Sequence, residues 1–378
     1  MALCLSAFFL SGCSNQGSQM PANCYGDTIG CSIEHKDIFP SSDVLELKDY
    51  PVTAYLKADS LQGIMGYNYR LHSLDLINLK GQLRVLSFPL QRDGPDGVFN
   101  RVKSIVPLSL DSIWMYDGVK FCLVDSAGKV RDQFSPVADT FVLLETNYAM
   151  HTAKLVYDNS SCSLLYPVLK DDSVFVEEYG LRQRDVLHRY YLKPSLCNPD
   201  NSIAYADFRF PNVNVVGGKI VYNYPYESTI YVLDRKSGAY SAFGGASAHT
   251  SNEAPRCESQ TDYAVWQRYG IENTHFYDVM YLPEAGLYAR VHIKGIGFDQ
   301  SKPLDELLDS REMYLMFFDS EFCIVKEMKL EACKYSCFTS WCALPRAVSL
   351  FENNSLSDSV DYEKLALSVI VPALVERD

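Results

Sequence analysis

Residues 218–243 read GKIVYNYPYESTIYVLDRKSGAYSAF. The part before the turn is rich in β-branched and aromatic residues, which suit the half-buried, pleated surface of a strand. It ends at Asp234-Arg235-Lys236-Ser237-Gly238, followed by the strand-like AYSAF. Asp opening such a turn accepts backbone N–H groups, and Gly closing it supplies a positive φ. The segment therefore reads strand, turn, strand.

The same form recurs outward in both directions. HSLDLINLKGQLRVLSFP (72–89) is strand, turn, strand. DSIWMYDGVKFCLVDSAGKVRDQFS (111–135) turns at Asp125-Ser126-Ala127-Gly128, and MYLMFFDSEFCIVKEMKL (313–330) turns at Asp319. A unit of roughly 40–50 residues holding several strands marks a propeller blade. Segments 144–169 and 336–355 supply further blades, and KLALSVIVP (364–372) supplies a closing strand. The expected fold is all-β, a propeller of about six blades. Its single helical insertion is expected near 301–313 (SKPLDELLDSREM), where Leu304, Leu307 and Leu308 share one side.

Composition agrees. Aromatics reach 13%, with 26 Tyr and 19 Phe, while charged residues are only 21%. The net charge of −13 comes without a basic block. Nucleic acid is excluded as a partner, because phosphate contacts need clustered Lys and Arg.

The N-terminus carries a different signal. Residues 2–10 (ALCLSAFFL) form an apolar run too short to span a bilayer, followed by Ser11, Gly12 and Cys13. Leu10-Ser11-Gly12-Cys13 looks like a lipobox. The expectation is a lipoprotein signal peptide over 1–12 and acylation of Cys13, which anchors the chain to a membrane. No Lys or Arg precedes the apolar run, a departure from the usual signal peptide. Residues 13–40 have little periodicity and read as lipidated Cys, tether and N-terminal arm, with the propeller over 41–378.

The chain has 12 cysteines. Setting aside Cys4 and Cys13 leaves an even number, which in an exported protein permits disulfides. Cys24 and Cys31 flank a short loop and are the expected pair. Cys122 and Cys323 lie in strand-like runs and read as buried thiols. Cys333, Cys337 and Cys342 lie close together, so two of them could pair. Their spacing does not match a zinc knuckle.

No cofactor or metal is expected. The seven histidines are scattered, without His-x-x-x-His or His-Glu-x-x-His. Gly244-Gly245-Ala246-Ser247-Ala248-His249 lacks the Gly-x-Ser-x-Gly order of a nucleophile elbow and reads as a loop between blades. The segment 263–294 is richer. It holds Trp266, Arg268 and Tyr269, then a strictly alternating strand, 287–294. There Tyr288, Arg290 and His292 share one face. These six residues are the candidate ligand site, but for Tyr288, Arg290 and His292 the favoured reading is a buried structural network, Arg290 with Asp278. Aromatics beside Arg suit a glycan or peptide.

Taken in order, four stretches resemble the Bacteroidetes lipoproteins of the domain of unknown function 4221 family, themselves similar to TolB-type six-bladed propellers. They are FPLQRDGPDGVFNRV (88–102) with LDSIWMY (110–116); LVDSAGKV (123–130); FRFPNVNVVGGKIVYNYPYESTIYVLD (208–234); and YDVMYLPEAGLYARV (277–291) with YLMFFDSEF (314–322). The resemblance covers most of residues 50–372. It implies a propeller and a lipid anchor, with no established activity and no catalytic residues. In that group an acidic run after the acylated cysteine accompanies surface exposure. Ser14 to Gln19 has none, so the expected location is the periplasmic face of the outer membrane. The expected function is a non-enzymatic binding or scaffold module with a glycan, peptide or protein on one propeller face. The alternative is an envelope hydrolase or lyase with acidic or His side chains converging at the axis.

Overall fold

The structure, a computed structural model, describes residues 20–39, 50–58, 61–80, 84–94, 97–147, 151–200, 205–337, 341–357 and 364–373. Cys13 and the leader before it lie outside them.

The described strands form six sheets, each built around four antiparallel strands. Blade 1 runs Val52–Ala58, Leu61–Asn68, Ser73–Asn78 and Arg84–Pro89. Blade 2 runs Ser104–Ser109, Ser112–Tyr116, Phe121–Val124 and Val130–Phe134. Blade 3 starts with Val156–Asp158 and continues through Ser163–Lys170, Ser173–Gly180 and Asp185–Tyr191. Blade 4 runs Asn212–Val216, Lys219–Asn223, Ile230–Asp234 and Tyr240–Phe243. Blade 5 runs His275–Leu282, Leu287–Ile293, Met313–Phe318 and Ile324–Lys329. Blade 6 is assembled from both ends of the chain. Trp341–Ala343, Val348–Phe351 and Leu365–Pro372 are joined by Cys31–Ile38, in register from Cys31 opposite Pro372 to Ile38 opposite Leu365.

The buried apolar residues separate into six clusters, one at each seam between neighbouring blades. This follows from the propeller itself, since each sheet packs both faces and has no central core to share. The aromatics fill these seams. Phe134 stacks on Tyr179 and Phe121 between blades 2 and 3. Tyr205 stacks on Tyr226, and Tyr222 on Tyr231, between blades 3 and 4.

The Asp turns form as read. Asp125 Oδ1 accepts from Ala127 N and Lys129 N, and Gly128 has φ +72°. Gly128 is also fixed by packing, because a Cβ there would lie 1.9 Å from Pro89 O. Asp234 and Asp319 cap their turns in the same way.

Three expectations need correction. The segment assigned to the tether is partly structural. Residues 23–29 run along the outer strand of blade 5, through Gly26 N to Ile324 O and Ile29 N to Val325 O, before Cys31–Ile38 closes blade 6. Its low hydrophobic periodicity reflects an edge strand whose side chains are mostly solvent-facing. The second correction concerns the cysteines. Cys24 is bonded to Cys323, not to Cys31, and Cys323 is not a free thiol. Cys31, Cys333, Cys337 and Cys342 are free, as is the buried Cys122. The bridge joins partners 299 residues apart, because laying the arm beside Ile324 brings Cys24 to the adjacent Cys323. Third, the insertion helix forms at Leu304–Asp309, but another helix, Tyr263–Glu272, lies between blades 4 and 5. Asp262 caps it by accepting from Ala264 N and Val265 N.

Candidate functional site: the axial cavity

The innermost strands of all six blades line one cavity of about 390 Å³ on the propeller axis. Blades 1 and 2 contribute Thr53, Ala54, Tyr55, Ile105, Val106 and Pro107. Blades 3 and 4 contribute Lys154, Leu155, Val156 and Asn214 to Gly217. Blades 5 and 6 contribute Met280, Tyr281, Pro283, Cys342 and Ala343. The lining is mainly aliphatic, with two tyrosines. Gly217 and Pro283 belong to the hairpins joining the first and second strands of their blades, so the cavity opens on that face.

Several polar lining groups are committed to the ring. Thr53 Oγ1 donates to Trp341 O, tying blade 1 to blade 6, and Asn214 Nδ2 donates to Val279 O, tying blade 4 to blade 5. Cys342 Sγ contacts Ala343 O, and burial pushes its thiol up to about 11, against the pull of Lys154. A thiol held there is a poor nucleophile at neutral pH.

The lining lysine, Lys154, pairs with the fully buried Asp278 at 3.1 Å. Thr152 Oγ1 lies 3.1 Å from Asp278 Oδ1 and 3.0 Å from Asn212 Oδ1, and Asn212 Nδ2 donates to Phe276 O. These groups join blades 3, 4 and 5 in a buried polar plug. Among the described residues no group of three or more His, Cys, Asp or Glu side chains could hold a metal ion.

A solved member of the DUF4221 family from Bacteroides vulgatus superposes with a TM-score of 0.70 over 92% of this chain and 99% of its own, at 12% identity. This chain has the DUF4221 propeller fold. A candidate exported protein from Bacteroides fragilis superposes with a TM-score of 0.56 over 93% of this chain and 97% of its own, at 10% identity. No protein-family profile and no curated protein sequence matches the chain.

In this ring, none of the six sequence-predicted ligand residues lines the axial cavity. Trp266, Arg268 and Tyr269 lie on the helix Tyr263–Glu272. Trp266 Nε1 donates to Ser259 O, Tyr269 Oη to Pro255 O, and Arg268 pairs with Glu272 in solvent. Tyr288, Arg290 and His292 are buried between blades 4 and 5. Tyr288 stacks on Phe322. Arg290 donates to Ser228 O at 2.8 Å and Gly245 O at 2.6 Å, with its guanidinium over Phe276 and Phe318. Burial pushes it down to about 9, although Glu327 and Glu227 favour its charge.

Arg290 does not pair with Asp278. A bulge between Phe276 and Val279 shifts the strand by one residue. Val279 takes the seam face beside Arg290, while Asp278 reaches Lys154. Strict alternation cannot register such an insertion.

Ser247, His292 and Glu327 meet in the same seam but do not form a catalytic triad. In a triad the carboxylate and the hydroxyl bind opposite ring nitrogens. Here Ser247 Oγ (3.2 Å) and Glu327 Oε1 (3.3 Å) both face His292 Nε2, and Ser247 donates its proton directly to Glu327 at 2.5 Å. Burial raises the Glu327 carboxyl, but hydrogen bonds from His292, Ser247 and Ala248 N outweigh it and hold it at about 2. Ser247 Oγ also accepts from His249 N and Thr250 N. The Gly-Gly-Ala-Ser-Ala-His segment is thus a loop between blades, as read.

Proposed function

We propose that the chain is a lipid-anchored, non-enzymatic binding propeller of the cell envelope, and that the axial cavity takes the apolar part of a small ligand. One observation carries this reading. All six inner strands turn a mainly apolar lining toward one cavity, and the lining Lys154 is neutralised by Asp278 within the wall. The volume lies in the usual range for small-molecule sites, about 300–1,000 Å³. Catalysis by converging acids finds less support, because Asp278, the carboxylate paired with the lining Lys154, is committed to Lys154 and Thr152.

The lipobox at Leu10–Cys13 supports anchoring, and a fold shared with a candidate exported Bacteroides protein supports an envelope location. We place the chain on the periplasmic face of the outer membrane. Labelled palmitate should enter the wild-type protein and not Cys13→Ser; an unlabelled wild-type chain refutes the anchor. For the cavity, calorimetric titration with 1-octanol as a bare alkyl probe should show saturable binding. Ala54→Trp, which sets a bulky ring on a half-buried stretch of the lining, should abolish it. Equal behaviour of the two proteins refutes the site.

A further inference from the structure

A second cavity, of about 590 Å³, lies on the same face as the axial mouth, in the seam between blades 3 and 4. It is lined by Asp158, Ser160, Tyr190, Arg235 and Lys236, with the backbone of Gly217 and Gly218. Gly217 lines both cavities, so the two adjoin at that residue. Their chemistry is opposite: the axial one is mainly aliphatic, the other is walled by hydroxyls, carboxylate, guanidinium and ammonium.

The basin is held open by its own network. Arg235 donates to Asp158 Oδ2 at 2.7 Å and to Glu178 Oε2 at 2.9 Å, and its guanidinium lies over the Tyr190 ring. Tyr190 Oη donates to the same Glu178 oxygen, and Ser160 Oγ donates to Asp158 Oδ1. Two carboxylates thus oppose Arg235 and the exposed Lys236, so the charges cancel. A Cβ added at Gly217 or Gly218 would meet nothing within 4 Å, so the backbone lies bare between the two cavities.

We propose that the natural ligand is an amphiphile with an uncharged, hydroxylated head, such as an alkyl or aryl glycoside. Its apolar end enters the axial cavity and its head lies in the Asp158–Ser160–Arg235–Lys236 basin. The assignment rests on the cavity reading above and extends it by naming the ligand class. Charge balance selects against anionic and cationic heads, since either would leave one sign uncompensated in the basin. The mixture of donors and acceptors matches hydroxyl groups, which are both.

The test is calorimetry on the full chain with octyl β-D-glucopyranoside below its micellar concentration, beside 1-octanol, glucose and octyl sulfate. The glucoside should bind at least about ten-fold tighter than 1-octanol, while glucose alone should give no measurable heat. Ser160→Ala and Lys236→Ala, both on the exposed rim, should each shrink that advantage several-fold and leave 1-octanol unchanged. Ala54→Trp should remove both ligands. If 1-octanol binds and the glucoside binds no tighter, the amphiphile assignment fails while the cavity reading survives. If octyl sulfate binds tightest, the uncharged head is wrong. If neither 1-octanol nor the glucoside binds, both readings fall.

Discussion

Gly245 and Arg290 illustrate how single residues hold two blades together. A Cβ on Gly245 would lie 2.7 Å from Ser228 O and 2.8 Å from Arg290 Nη2, displacing the guanidinium from both carbonyls it serves. Gly245→Ala should therefore cost about 2–3 kcal/mol, read by chemical denaturation. Arg290→Met should cost a similar amount, because two buried carbonyls lose their donor. His292 makes the seam sensitive to acid. Burial lowers its pKa below 6.5, and the nearby Arg290 adds to this against the hydrogen bond to Glu327. The unfolded chain then takes up a proton below pH 6.5 that the native state refuses. The contribution is complete above pH 6.5 and is lost as pH falls below it, by at most about 1.4 kcal/mol per pH unit. His72, also lowered by burial, acts in the same direction. Wild-type stability should fall between pH 7 and 5, and His292→Gln should flatten that slope. Glu327 acts with the same sign in a lower window: its stabilisation is present above pH 4.5 and is lost as pH falls toward 2.

The N-terminal arm is the element on which the ring depends most. Residues 23–29 follow blade 5, and Cys31–Ile38 adds eight paired positions to blade 6. The Cys24–Cys323 bridge fixes the arm ahead of the closing strand. Cys24→Ser should lower stability by about 2–5 kcal/mol, since a long closed loop restricts the unfolded chain strongly. Gly244 serves the same arm, because a Cβ there would lie 2.4 Å from Ala22 O. Sequence spacing suggested Cys31 as the partner because it is near in the chain. The true partner is near only once the sheet edge exists.

As a whole molecule, the chain divides its burial among six seams instead of one core. Each seam needs both its blades, so stability depends on closing the ring. Removing residues 20–38 should leave Leu365–Pro372 as an exposed edge and uncover apolar residues such as Ile370. The expected outcome is loss of the cooperative unfolding transition by circular dichroism, with association visible by size-exclusion chromatography. A truncated chain that unfolds like the full one would show that the closing strand is dispensable. If the lipid reading of Cys13 holds, the arm also sets the anchor close to the rim of blades 4 and 5. Only the six residues Ser14–Gln19 then separate Met20 from Cys13, which puts the two at most about 25 Å apart.

Local physics alone determined the strand content, the Asp-capped turns, the insertion helix near Leu304 and the roughly six-fold repetition. Each depends on neighbours a few residues apart, so the pattern is legible in one dimension. The helix Tyr263–Glu272 was less so, because its cap at Asp262 sits among aromatics that also suit a strand. The site was decided by tertiary structure. Lys154 meets Asp278 across blades 3 and 5, and a single bulged residue turns Asp278 away from Arg290. Alternation along Leu287–Ile293 correctly placed Tyr288, Arg290 and His292 on one face. It could not tell a seam from an axis, because in a propeller both faces of every blade are covered and only ring closure determines which side chains meet at the centre.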